Sequence, residues 1–351
     1  MEDRIVPILA TAPVLERDGK SIGRSREGRD IRAFRFGTGT TRVSLIGGCH
    51  ADEPVGPRLL RHLCAYLSTL PPNDPLIEQY DWWIVPHVNP DGEAVNRAWY
   101  DGDDVIYDFG RYSWHVVREL PGDDIEFGFP KGEDDHDGRP APRAVYDWWR
   151  TSTDPFALHA SLHSTGFAAG PWFLIEEAWK DRCEPLKERC ADRVAEMGYV
   201  LHDVERNGEK GFVRLGRGFT TRPDSRYMRK HFLELGDEET ASRFRPSSME
   251  TVRSLGGDPL TLVSEMPLFI TPGVGEELGP PDPVLELWKE RRVRWHAAAQ
   301  SEETAAAVAR EAQEAGLRPM PVRDQMILQW TFIVAGLELT NSPPPLPQRY
   351  R

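Results

Sequence analysis

The segment from residue 42 to residue 70 constrains the fold more than any other part of this sequence. It begins with an apolar run at 42–46, typical of a buried strand, and ends with a helix-like run at 55–70. His50 and Glu53 lie in the turn between the two runs. Because such a turn can aim both side chains inward, an imidazole and a carboxylate placed there can bind one cation, as two of the three protein ligands of a catalytic zinc do. The sequence therefore predicts a strand-turn-helix unit with a candidate metal site in its turn.

Three further strand-like runs each carry a polar group at or near their end. The run at 82–88 stops at the Asn-Pro-Asp-Gly cluster of residues 89–92, in which proline is expected to preset a turn and glycine to take a positive φ. The run at 156–164 ends near His163, and the run at 260–267 ends near Glu265. Sites in open α/β sheets are built at the carboxyl ends of strands. These groups are therefore candidates for one site.

The order of these motifs resembles that of the zinc carboxypeptidase family of metallopeptidases. His50 and Glu53 match the family's His-x-x-Glu ligand motif, and the turn at 89–92 matches its Asn-Pro-Asp-Gly turn. His163 matches the third metal ligand, and Glu265 matches the catalytic glutamate. The resemblance implies an α/β fold in which a mixed, largely parallel central sheet is flanked by helices on both faces. It also implies Zn²⁺ as the cofactor.

The chemistry of these residue types agrees with the resemblance. Two neutral imidazoles and a carboxylate leave a fourth position on zinc open for water, whose pKa then falls toward ~7. Glu265 can take a proton from that water and pass it to a leaving amine, as a general base and then a general acid. The sequence therefore predicts a hydrolase, and most simply one that cleaves an amide or peptide bond.

The substrate-binding residues depart from the family pattern. Members that remove a C-terminal residue hold its carboxylate with an Asn-Arg pair, commonly in the motif Asp-x-Asn-Arg-Asn-aromatic. The best match in this sequence is the segment 108–112, which keeps Arg111 but has Gly110 in place of the asparagine. We expect Arg111 to bind an anionic group of the substrate and Arg97 to polarise the carbonyl, although each could also be a solvated surface charge. Asp52 stands where digestive members carry another substrate-contacting arginine.

Two other functions compete with a metallocarboxypeptidase-like peptidase. One is a deacylase or amidase that acts on a small acylated amine or a cell-wall peptide through the same zinc chemistry. The other is a non-catalytic binding protein that retains the fold. The presence of all three ligands together with Glu265 argues against the last, since a protein that no longer catalyses gains nothing from a proton shuttle. The predicted partner is a peptide or acylated-amine substrate.

Composition limits the remaining possibilities. With 351 residues, 39% of them hydrophobic, the chain can bury a large core. Its net charge of -13 argues against general binding to nucleic acid or to anionic membranes. The start of the sequence lacks the pattern of a signal peptide, and no apolar run is long enough to span a membrane, which predicts a soluble cytoplasmic protein. The four cysteines are expected to pack in the core without forming disulfides.

The chain is predicted to contain a catalytic domain at 1–281 and a C-terminal helical extension at 282–351, which ends in a proline-rich tail. Within the catalytic domain, the polar segment at 100–143 is too long for a simple connection and predicts a functional rim loop. The polar, arginine-rich segment at 202–258 predicts a cap-like insertion. The run at 282–315 predicts one long helix, and the run at 324–339 predicts a second.

Four other histidines need an interpretation. His159 lies on the same predicted strand as His163, and a hydrogen-bonded core histidine is favoured there over an alternative metal ligand. His87, just before the Asn-Pro-Asp-Gly turn, is interpreted as structural. His62 and His296 lie in predicted helices and are expected to be solvated.

Overall fold

The structure, a computed structural model, describes residues 1–10, 19–100, 104–203, 208–275 and 282–341. The proline-rich tail at 343–347 lies outside the described residues, as does the predicted domain boundary at 281. The division into a catalytic domain and an extension therefore stays a prediction.

One sheet of ten strands crosses the described part of the molecule. The strands are β1 Lys20–Arg24, β2 Asp30–Phe36, β3 Thr41–Gly47, β4 Tyr80–Val85, β5 Leu158–Ala168, β6 Trp172–Ile175, β7 Arg214–Gly216, β8 Phe219–Thr221, β9 Leu260–Ile270 and β10 Arg318–Pro319. Their order is β1-β2-β4-β3-β5-β9-β6-β8-β7, and β10 pairs with β9. The central strands β4, β3, β5 and β9 run parallel, whereas β1, β2, β6, β7 and β10 add antiparallel pairings.

Helices cover both faces of this sheet. They are α1 Glu2–Ile5, α2 Val55–Leu67, α3 Pro75–Glu78, α4 Pro90–Asn96, α5 Phe109–His115, α6 Pro140–Trp149, α7 Glu184–Glu196, α8 Ser225–Glu234, α9 Glu238–Arg243, α10 Ser248–Ser254, α11 Pro283–Ala298, α12 Glu302–Glu314 and α13 Val322–Asn341. Short 3-10 helices occupy Val6–Ala10, Glu177–Arg182 and Glu209–Gly211.

Alternate residues of the central strands belong to two separate apolar cores. Val43 and Leu45 of β3 pack with α2, α7 and α13, whereas Ile46 packs with α6 and α10. All six residues of β4 are buried, as expected for a strand covered on both faces. The structure therefore confirms the predicted fold class, an α/β fold with a mixed central sheet between two helical layers.

Close packing of α2 on the sheet fixes the turn that carries His50 and Glu53. A Cβ atom at Gly56 would lie 2.5 Å from the carbonyl oxygen of Leu162 in β5, so only glycine allows this approach. Leu59, Leu60 and Leu63 of α2 are fully buried. The start of α2 is thereby held against the strand that carries His163.

The expectation that His163 and Glu265 end their strands is wrong in detail. β5 continues to Ala168 and β9 to Ile270, because the two strands pair with each other over almost their whole length. The neighbouring strand β3, in contrast, stops at Gly47, which pairs with Leu162. His163 therefore lies just beyond the end of β3, where there is room for a side-chain site.

The expectation of one long helix over 282–315 is also wrong. The chain leaves the helical conformation after Ala298 and starts α12 at Glu302. Ser301 and Thr304 form a capping box, in which the Ser301 hydroxyl accepts a hydrogen bond from the Thr304 amide. This cap satisfies amide groups at the new helix start and allows the chain to change direction. The second predicted helix is confirmed as α13.

Helix α13 crosses the sheet beneath the strands that carry His163 and Glu265. Trp330 and Phe332 are fully buried, with ring centroids 6.4 Å from that of Trp82 and 4.6 Å from that of Phe173, respectively. The side-chain amide of Gln329 donates to the carbonyl oxygen of His163 at 3.1 Å. Residues from the end of the chain therefore support the centre of the fold.

Several smaller expectations are tested by the structure. His62 is only 3% exposed, so the expectation of a solvated side chain is wrong, whereas His296 is exposed as expected. All four cysteines are buried and free, which confirms the expected core packing. Among the described helices, none has the length and apolar character needed to cross a membrane.

Candidate metal centre

His50, Glu53 and His163 converge in the structure, and we call them the His-Glu-His cluster. One potential ligand atom from each lies within 4.8 Å of the other two. His50 Nδ1 is 2.8 Å from Glu53 Oε1, and His163 Nδ1 is 2.9 Å from Glu53 Oε2. Glu53 and His163 are buried and His50 is partly exposed, so the cluster can be approached from one side. The structure thus brings together the three residues that the sequence predicted as metal ligands.

The turn before α2 depends on a glycine that aims His50 inward. Gly48 has a φ of +69°, and a Cβ atom there would lie 2.5 Å from the His87 ring. The turn is also tied to other segments, since the Ala51 amide donates to Glu119 and the Ala51 carbonyl accepts from Asn96. These bonds fix the backbone on which the two ligand candidates lie.

The cluster has the features of a cation site. Glu53 Oε2 is buried and lies 2.9 Å from His163 Nδ1, but in the described part of the chain no donor approaches it with the geometry of a hydrogen bond. His50 Nδ1 and His163 Nδ1 lie 3.1 Å apart, so two basic nitrogens face each other beside a carboxylate. Although burial opposes the shift, the two imidazoles hold the pKa of Glu53 well below its usual range. A cation would give both nitrogens and the orphaned oxygen a partner, and this donor set suits zinc.

Each of the two histidines has a polar group near its second ring nitrogen, Nε2. Asp124 Oδ1 lies 3.9 Å from His50 Nε2, and Ser161 Oγ lies 2.8 Å from His163 Nε2. Glu126 Oε2 lies 3.3 Å from the same nitrogen of His163. Metal-binding histidines usually donate their second ring N–H to such a group.

Glu265 lies beside the cluster on the neighbouring strand, where it is the register partner of His163. The residue as a whole is partly exposed, but its carboxyl group is surrounded by protein. Burial of the carboxyl group and the nearby charge of Glu53 raise the pKa of Glu265 to about 7. A pKa in this range suits a group that must both accept and donate a proton near neutral pH.

Arg118 is the cation that the sequence analysis missed. Its Nη1 lies 3.0 Å from Asp52 Oδ1 and 3.3 Å from Glu53 Oε1, and 46% of its side chain is exposed. A guanidinium beside the cluster with part of its surface free can donate hydrogen bonds to a substrate oxygen. It comes from the segment 100–143, whose irregular sequence predicted a rim loop without indicating which arginine reaches the site.

The two arginines predicted to bind substrate contact other residues. The Arg111 guanidinium donates to the carbonyl oxygen of Ala98, and its side chain is exposed. Arg97 is 71% exposed and lies 4.0 Å from Glu93. Among the described residues, Arg118 contacts Glu53 of the His-Glu-His cluster. The contacts of Arg111 and Arg97 given above are with residues outside the cluster. Their roles toward substrate stay predictions.

A second reading of the sequence could have found Asp124 and Glu126. The segment 124–129 has the Asp and the final aromatic residue of the motif Asp-x-Asn-Arg-Asn-aromatic. Glu126 then stands in place of the asparagine and Phe127 in place of the arginine. Neither residue of the Asn-Arg pair is retained in this alignment, which is why the motif was not visible.

The other histidines have structural partners. His159 is fully buried and bonds to Ser44 Oγ and Ser248 Oγ at 3.0 and 3.1 Å, which confirms a hydrogen-bonded core histidine. His87 is buried and accepts a hydrogen bond from the Asn89 amide at 3.1 Å, in agreement with a structural role.

The comparison with known proteins agrees with this arrangement. A family model described as zinc carboxypeptidase, Peptidase_M14, matches residues 18–199, which is more than half of the chain. The chain belongs to the zinc carboxypeptidase family. This membership confirms the resemblance inferred from the sequence motifs.

Individual members of the family match parts of the chain. Carboxypeptidase M of Mus musculus is 31% identical over 163 residues, which are 42% of this chain and 34% of that protein. The inactive metallocarboxypeptidase ecm14 of Talaromyces marneffei is 35% identical over 96 residues, 22% of this chain and 16% of that protein. The chain thus spans about a third or less of the length of these relatives. Because one of them is named inactive, family membership does not decide whether a member catalyses.

Among solved structures, carboxypeptidase A of Helicoverpa armigera superposes with a TM-score of 0.47 and 13% sequence identity. The match covers 95% of this chain and 71% of that one.

Proposed function

We propose that the protein is a zinc-dependent hydrolase that cleaves an amide or peptide bond, with zinc held by His50, Glu53 and His163. The observation that carries this proposal is the convergence of the buried Glu53 carboxylate with two histidine nitrogens that face each other at 3.1 Å. The family assignment supports zinc as the cation.

The residues around the cluster can each take a different role in hydrolysis. Zinc, when bound, supplies a Lewis acid and lowers the pKa of water toward ~7. Glu265 takes the proton from the attacking water and returns it to the leaving amine. Arg118 donates hydrogen bonds to the oxygen on which negative charge develops, and Asp52 holds the guanidinium in place through its carboxylate.

The proposed substrate is a peptide, in a reaction like that of a metallocarboxypeptidase. An acylated amine, as in a deacylase or amidase, is the second candidate. It gains support from the segment 124–129, in which Glu126 and Phe127 replace the pair that holds a C-terminal carboxylate. The first candidate depends on Arg111 as a substitute for that pair. A non-catalytic binding role is the third candidate, because relatives named inactive exist.

A substrate screen tests these candidates directly. Zinc-loaded protein is incubated with peptides that have a free or an amidated C-terminus and with acylated amines, and release of amine is measured. We expect hydrolysis of at least one class, and at least ~100-fold slower turnover in Glu265→Gln, which keeps the shape but cannot accept the proton. Zinc content is measured in both proteins as the control.

The outcomes separate the candidates. Preference for a free C-terminus supports the carboxypeptidase-like reaction, and equal cleavage of both forms or cleavage of acylated amines supports the deacylase. A zinc-loaded parent that is no faster than Glu265→Gln on all of these substrates would contradict catalysis and favour a binding protein.

A further inference from the structure

We propose that Glu126 is a positioning residue that acts through Ser161 to fix the tautomer and orientation of His163. This inference rests on the proposed function, because it assigns to His163 a role as metal ligand through Nδ1. It concerns the opposite edge of the ring, which faces the interior of the protein.

The Glu126 carboxylate is a hydrogen-bond acceptor for Ser248 and Ser161. The carboxylate is 3% exposed, and it accepts from the Ser248 amide at 3.0 Å, from the Ser248 hydroxyl at 2.9 Å and from the Ser161 hydroxyl at 3.0 Å. Three donors therefore converge on one buried side chain. A group held in this way is fixed in position.

The Ser161 hydroxyl has a single proton, and the direction in which it donates determines which nitrogen of His163 carries a proton. Ser161 donates that proton to Glu126 Oε2, so its oxygen is free to accept from His163 Nε2 at 2.8 Å. Glu126 Oε2 also lies 3.3 Å from Nε2. With acceptors on this side, Nε2 carries a proton, and the lone pair of a neutral ring is then on Nδ1. That nitrogen lies 2.9 Å from Glu53 Oε2 and faces the position proposed for zinc.

The same region could also be interpreted as a second metal site, separate from the His-Glu-His cluster. Ligand atoms of Cys49, Glu126 and His163 also lie within 4.8 Å of one another. Both oxygens of Glu126 already accept hydrogen bonds from Ser161 or Ser248, so the carboxylate does not need a cation. The hydrogen-bonded interpretation is therefore favoured, and it predicts that Cys49 contributes nothing to metal binding.

Glu126→Gln tests the proposal with little change of shape. Its amide nitrogen is a donor. Because the backbone amide of Ser248 can only donate, the oxygen of the new side chain should stay on that side, and the nitrogen should face Ser161 and His163. Loss of the acceptor behind His163 should weaken zinc binding by about 10–100-fold, the usual effect of removing such a partner. The absorption spectrum of the cobalt-loaded protein should also change, because the orientation of a ligand changes.

Two variants serve as matched controls. Ser248→Ala removes a bond to the same carboxylate without touching His163. Cys49→Ser removes the thiol, which lies 3.5 Å from Ser161 Oγ, and keeps a hydroxyl group as a partner for Ser161. Both should keep zinc affinity near that of the parent and leave the cobalt spectrum unchanged. Thermal unfolding of the metal-free proteins measures any general loss of stability. If Glu126→Gln does not fold, Ser161→Ala gives the same test, since it removes the nearest acceptor of the Nε2 proton and should also weaken zinc binding.

The results have distinct meanings. Unchanged zinc affinity in folded Glu126→Gln or in Ser161→Ala would overturn the proposal. Equal losses in Glu126→Gln and Ser248→Ala would show a merely structural role, and a loss in Cys49→Ser would favour the second metal site, and each of these results would overturn it as well. A parent that binds no zinc would overturn the proposed function itself, so the two failures can be told apart.

Discussion

His50 Nδ1 and His163 Nδ1 lie 3.1 Å apart although 113 residues separate them along the chain. The sheet creates this contact, because β3 ends at Gly47 opposite Leu162 and the next residue of β5 is His163. Two basic nitrogens at this distance repel each other unless a proton or a metal ion lies between them. The geometry therefore connects the topology of the sheet with the proposed zinc site.

The first prediction concerns zinc content. His163→Ala should lose most of its zinc, because a buried ligand is removed and the remaining pair is a weak site for this ion. Metal analysis of parent and variant, purified with added zinc and then dialysed, measures the effect. His159→Gln is the control, since His159 lies on the same strand, is fully buried and bonds to two serines. Full zinc occupancy in His163→Ala would remove this residue from the site.

The second prediction separates the two arginines by their kinetic effects. Arg118→Gln should lower kcat by about 100-fold on every substrate, the usual effect of losing a donor to a developing oxyanion. Arg111→Lys, which keeps the charge but loses the planar fork, should instead raise KM for a free-acid substrate more than for its amide. Steady-state kinetics with one acid and amide pair measures both. Unchanged kcat in Arg118→Gln would contradict its proposed role.

The difference between these arginines illustrates what sequence can predict for this chain. His50 and Glu53 form a local motif in a defined turn, and His163 and Glu265 lie in strongly apolar strands whose position in a sheet can be inferred. Arg118 lies in a long irregular segment, where no periodicity indicates the path of the backbone. Its contact with Glu53 therefore depends on tertiary packing that the sequence pattern does not contain.

His62 and α13 illustrate the same limit for the core. The pattern of α2 predicts a helix with one apolar face, so a histidine off that face is expected to be solvated. In the fold, α2 packs against β3 and β5 and also against α13, which comes much later in the chain. Which later element covers a helix cannot be inferred from the helix itself.

The third prediction tests the division at residue 281. A chain that ends there lacks α13 and with it Trp330 and Phe332, which are fully buried. Removal of each large aromatic side chain alone typically costs about 3–5 kcal/mol, which is a large part of the stability of a domain. We therefore expect the shortened chain to lose cooperative unfolding. Near-UV circular dichroism and thermal melts measure this loss. A shortened chain that melts like the parent would support 1–281 as an independent domain.

The last prediction concerns the dependence of stability on pH. Burial, with the nearby charge of Arg58, lowers the pKa of His62 to about 4, and its Nε2 has no hydrogen-bond partner in the described part of the chain. In the unfolded chain the pKa is about 6.5. Between these values the unfolded chain binds a proton that the folded protein does not bind. The free energy of unfolding therefore falls as the pH falls, and the contribution of His62 between pH 7 and pH 5 is about 2 kcal/mol.

His62→Leu removes this proton uptake and should make the pH dependence shallower by about that amount. Urea unfolding of both proteins at pH 7 and pH 5 measures the difference, at the same zinc concentration throughout. His136→Leu is the control, because it makes the same substitution at a histidine whose side chain is exposed. The stability of His62→Leu at pH 7 does not decide the matter, since the new side chain also changes the packing. Equal pH dependence in parent and His62→Leu would mean that His62 is protonated in the folded protein.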